Sequence, residues 1–131
     1  MRYLVDTDWL IDILSGVLSA SSTIERLTAA GIGISIVTVG EVYEGAVLSP
    51  DPQAALQRYR EFLDAFPALP LTEPIMHRFA VIRATLRRAG NLIPDLDLLI
   101  ASTALEHNLT LITRNLRHYE RIADLALYRA N

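Results

Sequence analysis

Acidic side chains occupy the places where this sequence predicts that strands end and helices begin. Asp6 follows a short apolar run, Glu41 lies early in a helix that follows a second apolar run, and Asp97 lies in the first turn of an apolar helix. Carboxylates gathered at one place raise one another's pKa unless a cation lies among them. Oxygen ligands without histidine or cysteine favour Mg²⁺ or Mn²⁺ over zinc.

A divalent cation held by these acids would suit the hydrolysis of phosphodiester bonds. Such an ion polarises a phosphate, positions a water molecule and lowers the pKa of that water. An acid that does not bind the ion can act as the base that orients the water. Asn115 follows a later predicted strand and adds a polar side chain at the same edge.

Each acid also has a purely structural interpretation, and the pattern alone leaves both open. Glu41 has the spacing of a capping-box partner for Thr38, and Asp95 next to Pro94 fits a helix cap. Asp97 could also be a cap, but it lies between apolar neighbours, where a carboxylate needs a partner or a metal. Two further acids are assigned to helix capping and to solvent, respectively: Asp8 and Asp12.

The predicted elements alternate between strands and helices, as expected for a parallel sheet flanked by helices. Strands are predicted at residues 2–5, 32–37, 68–71 and 108–113, with a weak one near 125–128. Helices are predicted at residues 8–14, 22–31, 38–48, 53–66, 72–89 and 93–105. Right-handed crossovers place every carboxyl end of such a sheet on one edge, so Asp6, Glu41 and Asn115 should meet there with Asp97.

Length and composition predict one folded domain covering residues 1–131. The hydrophobic fraction is 51% and the charged fraction 21%, which is typical of a globular chain with some apolar surface to spare. The absence of cysteine excludes disulfides and thiolate metal sites. No run is long enough to span a membrane and no signal sequence is evident, so we expect a cytoplasmic protein.

The basic residues are unusual because all twelve are arginine and lysine is absent. A net charge of −3 argues against broad attraction to nucleic acid, so a polyanion would have to be held locally by a metal or by arginines. An arginine stripe on the predicted helix 72–89 could contact RNA phosphates, although a solvated face is the preferred interpretation. The three histidines, His77, His107 and His118, show no metal-ligand spacing.

Four blocks of the chain, in order, resemble the PIN-domain family, and in particular the VapC-type toxins of prokaryotic toxin–antitoxin pairs. The blocks are Leu4-Val5-Asp6-Thr7-Asp8, the stretch from Thr38 to Gly45, the stretch from Asp97 to Ala104, and the stretch from Leu111 to Tyr119. The resemblance spans essentially the whole length. It implies a PIN-like three-layer α/β/α fold with a mostly parallel central sheet.

The resemblance also implies an activity and a set of site residues. It implies a Mg²⁺-dependent endoribonuclease, usually a homodimer, that is inhibited by a cognate antitoxin. The family's three acids fall on Asp6, Glu41 and Asp97. For the mechanism, we expect Asp6 and Asp97 to hold the ion and Glu41 either to bind it through water or to orient the attacking hydroxide. The fourth position, often aspartate, falls on Asn115, whose amide can hold water or phosphate but adds no negative charge. This departure puts a second metal ion in doubt.

Two other classes of function remain as alternatives. A PIN-like module that binds RNA or a partner but has lost catalysis would explain Asn115. Asp6-Thr7-Asp8 also resembles the opening of phosphatases of the haloacid-dehalogenase type, and receiver domains likewise gather acids at a sheet edge. Both of the latter families use a lysine to neutralise the phosphoryl charge, and this chain has none.

Overall fold

The computed structural model describes residues 1–130 and has a four-stranded parallel sheet at its centre. The strand order is β3-β2-β1-β4, and every neighbouring pair runs parallel. The strands are β1 (Tyr3–Val5), β2 (Ile32–Ser35), β3 (Ala68–Leu69) and β4 (Thr110–Ile112). β1 and β2 are buried throughout, as expected for a parallel sheet covered on both faces.

Helices cover both faces of this sheet. They are α1 (Thr7–Leu14), α2 (Leu18–Leu27), α3 (Ile36–Val47), α4 (Pro52–Leu63), α5 (Glu73–Arg88), α6 (Asp95–Glu106) and α7 (Leu116–Tyr119), with a 3-10 turn at Thr28–Ala30. Successive strand residues face opposite sides, so Tyr3 and Val5 enter one apolar cluster and Leu4 enters the other. The three-layer α/β/α architecture expected from the sequence is therefore confirmed.

Two predicted helix starts were wrong. The sequence predicts a helix from residue 22, where Ser22 and Glu25 have the spacing of a capping box, but α2 begins at Leu18 without a side-chain cap. The box at Thr38 does not start α3 either, because the Ser35 side chain accepts a hydrogen bond from the Val37 N–H (3.0 Å) and caps the helix three residues before Thr38. The strand predicted to reach residue 37 consequently ends at Ser35.

The remaining elements follow the predicted order with shorter ends. The weak last strand is a single parallel bridge between Leu111 and Leu127, and β3 lies at the edge of the sheet. On α5, Arg78 and Arg83 pair with acids of α6, which agrees with the preferred interpretation of that arginine stripe as a surface feature rather than an RNA contact. None of the helices in residues 1–130 combines the length and the apolar character needed to cross a membrane.

Candidate active site

Asp6 lies at the carboxyl end of β1, where its backbone and its side chain are both held in place. Its N–H donates to the Ile112 carbonyl of β4 (2.8 Å), which extends the strand pairing by one residue. Its Oδ1 accepts from the Thr7 N–H (2.8 Å) and caps α1. Its Oδ2 accepts from the Thr113 hydroxyl (2.8 Å) and from the Tyr119 hydroxyl (3.2 Å). A buried carboxylate with three donors is fixed in orientation.

Glu41 reaches the same edge of the sheet from α3. The Thr7 hydroxyl donates to Glu41 Oε1 at 2.7 Å and lies 3.2 Å from the Thr38 hydroxyl. Since a hydroxyl carries one proton, the Thr7 proton goes to the carboxylate and the Thr38 hydroxyl donates to Thr7. Thr7, which follows Asp6 in the chain, thus links Glu41 to the carboxyl end of β1. The capping-box interpretation of Glu41 was wrong, because Ser35 is the cap.

Asp97 lies in the first turn of α6 and faces α7. Its Oδ2 is 3.2 Å from His118 Nδ1, and its side chain is 18% exposed. The Asn115 side-chain amide lies 3.1 Å from the same imidazole nitrogen. Asp95, two residues before Asp97, is not a cap as predicted: its Oδ1 accepts from Arg83 Nε at 2.8 Å. The two aspartates of this turn therefore have different surroundings.

Asp8 lies next to the site. It is not a helix cap, because the N-cap of α1 is Asp6. Its Oδ2 accepts from the Arg114 N–H at 3.0 Å and lies 3.4 Å from the Thr113 hydroxyl, whose single proton is better placed for Asp6. Arg114 in turn stacks on the Trp9 ring at 3.9 Å and pairs with Asp12 at 3.0 Å. Asp12, predicted to be solvated, is half-exposed and ion-paired.

Burial and mutual repulsion act together on these acids. Burial raises the pKa of Asp6 above its ordinary value, the hydrogen bonds from Thr113 and Thr7 oppose that rise, and the Asp97 charge adds to it. Burial likewise raises the pKa of Glu41, with further contributions from the Asp6 and Asp97 charges. Burial, followed by the Asp6 charge, raises the pKa of Asp8 to about 6. The structure therefore brings Asp6, Glu41 and Asp97 close enough to interact electrostatically.

The predicted acids do not form a tight cage. Among residues 1–130, no three His, Cys, Asp or Glu side chains are grouped closely enough to enclose a metal ion by themselves. An ion at this edge would therefore depend on one or two carboxylates and on water or substrate oxygens. Mg²⁺ is commonly bound in this way, because it keeps much of its hydration shell.

Two residues of the site were not identified from the sequence. His118 contacts Asp97, and Tyr119 is fully buried with its hydroxyl on Asp6, whose negative charge together with burial raises the pKa of the phenol. Both belong to α7, a single short helix after β4. The available signal was their position just after Asn115, at the edge where the sequence already placed the other candidates.

Known proteins are similar to this chain over most of its length. A family model described as PIN domain matches residues 3–125. Ribonuclease VapC1 of Methanocaldococcus jannaschii is 35% identical over 126 residues, which cover 96% of this chain and 85% of that protein.

Solved structures give the same result. The crystal structure of VapBC2 from Rickettsia felis bound to a DNA fragment from their promoter contains a chain that superimposes with a TM-score of 0.91 at 26% identity, covering 100% of both chains. A toxin-antitoxin complex from Klebsiella pneumoniae gives a TM-score of 0.77 at 29% identity, covering 98% of this chain and 100% of that one. The chain therefore belongs to the PIN-domain family and, within it, to the VapC proteins.

Proposed function

We propose that this chain is a metal-dependent endoribonuclease that acts as the toxin of a toxin–antitoxin pair. The observation that carries the proposal is the meeting of Asp6, Glu41 and Asp97 at one edge of the sheet, where burial and the charges of the neighbouring acids raise the pKa values of Asp6 and Glu41. Two names among the similar proteins support the proposal: the VapC relative is named a ribonuclease, and the structural neighbour from Klebsiella pneumoniae is named a toxin-antitoxin complex. Buried acids that repel one another form a site that binding of a cation would stabilise.

The donor set fits Mg²⁺ or Mn²⁺, with Asp6 and Asp97 as the residues that would hold the ion. Both supply carboxylate oxygens, and the Asp6 carboxylate is fixed by its three hydrogen bonds before any ion arrives. The bound ion would polarise the scissile phosphate and lower the pKa of a water molecule. The two carboxylates would occupy only part of the ion's coordination sphere, so positions would remain for water and for a phosphate oxygen.

Glu41 is the residue that we assign to the attacking water. Its Oε1 accepts from Thr7, which leaves lone pairs on the carboxylate for a further donor. A carboxylate with a raised pKa is a better proton acceptor than an unperturbed one. Glu41 would therefore orient the water and take its proton, while Asn115 would contribute an amide that cannot act as a base.

The partners that we propose are RNA, a cognate antitoxin and a second copy of the chain. Several apolar side chains are exposed on the surface of residues 1–130, Leu18 and Leu48 at 79% each, and such surface suits burial against protein. A homodimer should appear in light scattering at about twice the mass of the chain. A monomeric mass at micromolar concentration would contradict that part of the proposal.

The activity is tested by sequencing RNA ends after controlled expression, together with cleavage by the purified protein over a range of Mg²⁺ and Mn²⁺ concentrations. Asp6→Asn and Asp97→Asn should each abolish cleavage. Asp95→Asn is the matched control for Asp97: it removes a carboxylate from the same helical turn, but one that pairs with Arg83 on the surface. Cleavage at the wild-type rate in either Asp6→Asn or Asp97→Asn would refute the assignment.

The two catalytic variants should remain folded. Asparagine at position 6 can still accept the Thr7 N–H and cap α1. The Thr113 and Tyr119 hydroxyls can rotate and accept from its amide N–H. Removing a buried charge that its neighbours repel should not destabilise the metal-free protein, and circular dichroism with thermal unfolding checks this for each variant.

The second candidate is a PIN-like module that binds RNA or a partner without cleaving. Two observations favour it: the lack of a three-residue metal cage within residues 1–130, and the amide at position 115. This module would bind RNA or a partner protein but leave RNA intact at every Mg²⁺ or Mn²⁺ concentration. The same titration therefore separates the two functions.

A further inference from the structure

Two side chains meet the same nitrogen of His118. Asp97 Oδ2 lies 3.2 Å from Nδ1, and the Asn115 amide lies 3.1 Å from it. The imidazole is about one-third exposed and Asp97 less so, which limits how far water can substitute for either contact. One ring nitrogen cannot be a donor to one neighbour and an acceptor from the other at the same time.

The location of the proton distinguishes two hydrogen-bond arrangements: in one, His118 Nδ1 accepts from Asn115, and in the other it donates to Asp97. If Nδ1 lacked a proton, its lone pair would face an ionised carboxylate, and both atoms would be acceptors. If Nδ1 carries the proton, it donates to Asp97 in a charge-assisted hydrogen bond, which is stronger than a neutral one. A half-turn of the Asn115 amide then presents its oxygen instead of its nitrogen, so that the same N–H is shared by two acceptors.

We propose that His118 is a positioning residue that orients Asp97 through its Nδ1 proton, and that Asn115 serves the site by holding the His118 ring in place. The ring is thereby fixed in one tautomer, with Nε2 directed away from Asp97. Partners that orient a metal-binding carboxylate in this way commonly change metal affinity or activity when they are removed. The proposal rests on the proposed function, because it assigns Asp97 to metal binding.

The amide at position 115 has a physical role in this arrangement. A carboxylate there would place a second negative charge beside the Asp97–His118 contact, whereas an amide supplies an acceptor without charge. Asn115 is itself anchored, since its backbone N–H donates to the Thr113 hydroxyl at 3.0 Å. The chain from Thr113 to His118 therefore connects the Asp6 side of the site to the Asp97 side.

The tautomer is measured directly by long-range ¹H–¹⁵N correlation of the imidazole nitrogens in the metal-free, RNA-free full-length protein. The expected result is a protonated Nδ1 on His118, with His77 and His107 as internal references. Asp97→Ala removes the charged acceptor and leaves only the Asn115 amide, so it should shift His118 towards the tautomer mixture of the reference histidines. An unprotonated Nδ1 in the wild-type protein would overturn the proposal.

Three substitutions at His118 test positioning in the working enzyme. Asparagine places an amide N–H near the position of Nδ1, glutamine places one near Nε2, and alanine places none. We expect His118→Gln and His118→Ala to raise the Mg²⁺ concentration needed for half-maximal cleavage of total cellular RNA by roughly tenfold. His118→Asn should keep most of the wild-type Mg²⁺ dependence. Equal defects in all three variants, or none in any, would refute the positioning role.

Failure of this inference can be told apart from failure of the proposed function. The tautomer is measured without metal or RNA, so the result does not depend on whether the protein cleaves RNA. If wild-type protein leaves RNA intact at every Mg²⁺ and Mn²⁺ concentration, the nuclease assignment fails and the tautomer result is unaffected. If cleavage requires Asp6 and Asp97 but Nδ1 is unprotonated, the nuclease stands and the role of His118 is wrong.

Discussion

Hydroxyl groups hold the carboxylates of this site in position. Thr7 donates to Glu41, while Thr113 and Tyr119 donate to Asp6. Each hydroxyl supplies a single proton, so each can satisfy only one carboxylate oxygen at a time. The acids are therefore oriented by neighbours that carry no charge, which leaves the negative potential of the site intact for a cation.

Thr113 tests this arrangement because its hydroxyl serves two groups: it donates to Asp6 and accepts the Asn115 N–H. Thr113→Val keeps the shape of the side chain but removes one of the donors to the buried Asp6 carboxylate and the acceptor of the Asn115 N–H, and should cost about 1–3 kcal/mol of unfolding free energy. Chemical denaturation measures the loss. Thr113→Ser retains the hydroxyl and should recover most of the lost stability. A loss in Thr113→Ser as large as that in Thr113→Val would contradict the role assigned to the hydroxyl.

Asp8 makes the stability of the metal-free protein depend on pH. Its pKa is raised from 3.8 to about 6 by burial and by the Asp6 charge, so the folded state holds a proton that the unfolded state releases. The associated stability is fully present below pH 3.8 and is lost as the pH rises through about 6. The free energy of unfolding should therefore contain a component that falls across this window.

Denaturation of the metal-free protein at a series of pH values measures this component. Asp8→Asn removes the titrating group and should reduce the decrease in unfolding free energy across this pH range. Asp12→Asn is the control, since Asp12 is a half-exposed acid on the same helix. A wild-type slope that persists unchanged in Asp8→Asn would show that Asp8 is not responsible.

The candidate acids could be found from the sequence, but their neighbours could not. Asp6, Glu41 and Asp97 are acids that follow apolar strands or open an apolar helix, and parallel topology alone brings such positions together. His118 and Tyr119 approach Asp97 and Asp6 from more than twenty residues away along the chain, through the placement of α7. No local pattern encodes that placement.

At the scale of the elements, the sequence predicted the wrong start for α2 and for α3, because each region offers more than one possible start. Both Ser35 and Thr38 offer a hydroxyl near the start of α3, and the capping-box spacing favours Thr38. Ser35 is used because the strand pairing with β3 ends there, at the pair between Ser35 and Leu69. α2 begins at Leu18 without any cap, since burial of Ala20 and Ile24 against the core outweighs the local signal at Ser22.

The two serines give a matched test of which cap is used. Ser35→Ala removes the cap of α3 and should cost about 1 kcal/mol of unfolding free energy, because the Val37 N–H loses its partner. Ser22→Ala changes an exposed position inside α2 and should alter stability by less than about 0.5 kcal/mol. Thermal or chemical unfolding of both variants checks the difference. A larger loss in Ser22→Ala would contradict the assigned helix starts.

At the scale of the whole molecule, the strand order places Asp6 at the centre of the site. β1 pairs with β2 on one side and with β4 on the other: the chain moves outward from β1 through β2 to β3 and then crosses back to β4 on the opposite side of β1. Ligands of open α/β sheets bind at such points, outside the carboxyl ends of the strands. The sequence predicted a parallel sheet but did not contain this order, which depends on how the helices pack.

Metal binding should stabilise the folded molecule as a whole. A ligand that binds only the folded state adds about 1.4 kcal/mol at ten times its Kd, so Mg²⁺ or Mn²⁺ should raise the Tm of the wild-type protein in a saturable manner. Asp6→Asn and Asp97→Asn should lose this response, whereas Asp95→Asn should retain it. A rise of equal size in all four proteins would indicate a general ionic effect instead of a specific site.

The side chain of Asp6 both caps α1 and faces the candidate metal site, and this overlap affects how a harmless form of the toxin should be prepared. Alanine at this position would silence the enzyme and, by removing the cap, also weaken the fold by about 1 kcal/mol. A cell carrying that version could then survive because the toxin is degraded, which gives the same growth phenotype as lost catalysis. Asparagine keeps the cap, so its phenotype reports on chemistry alone.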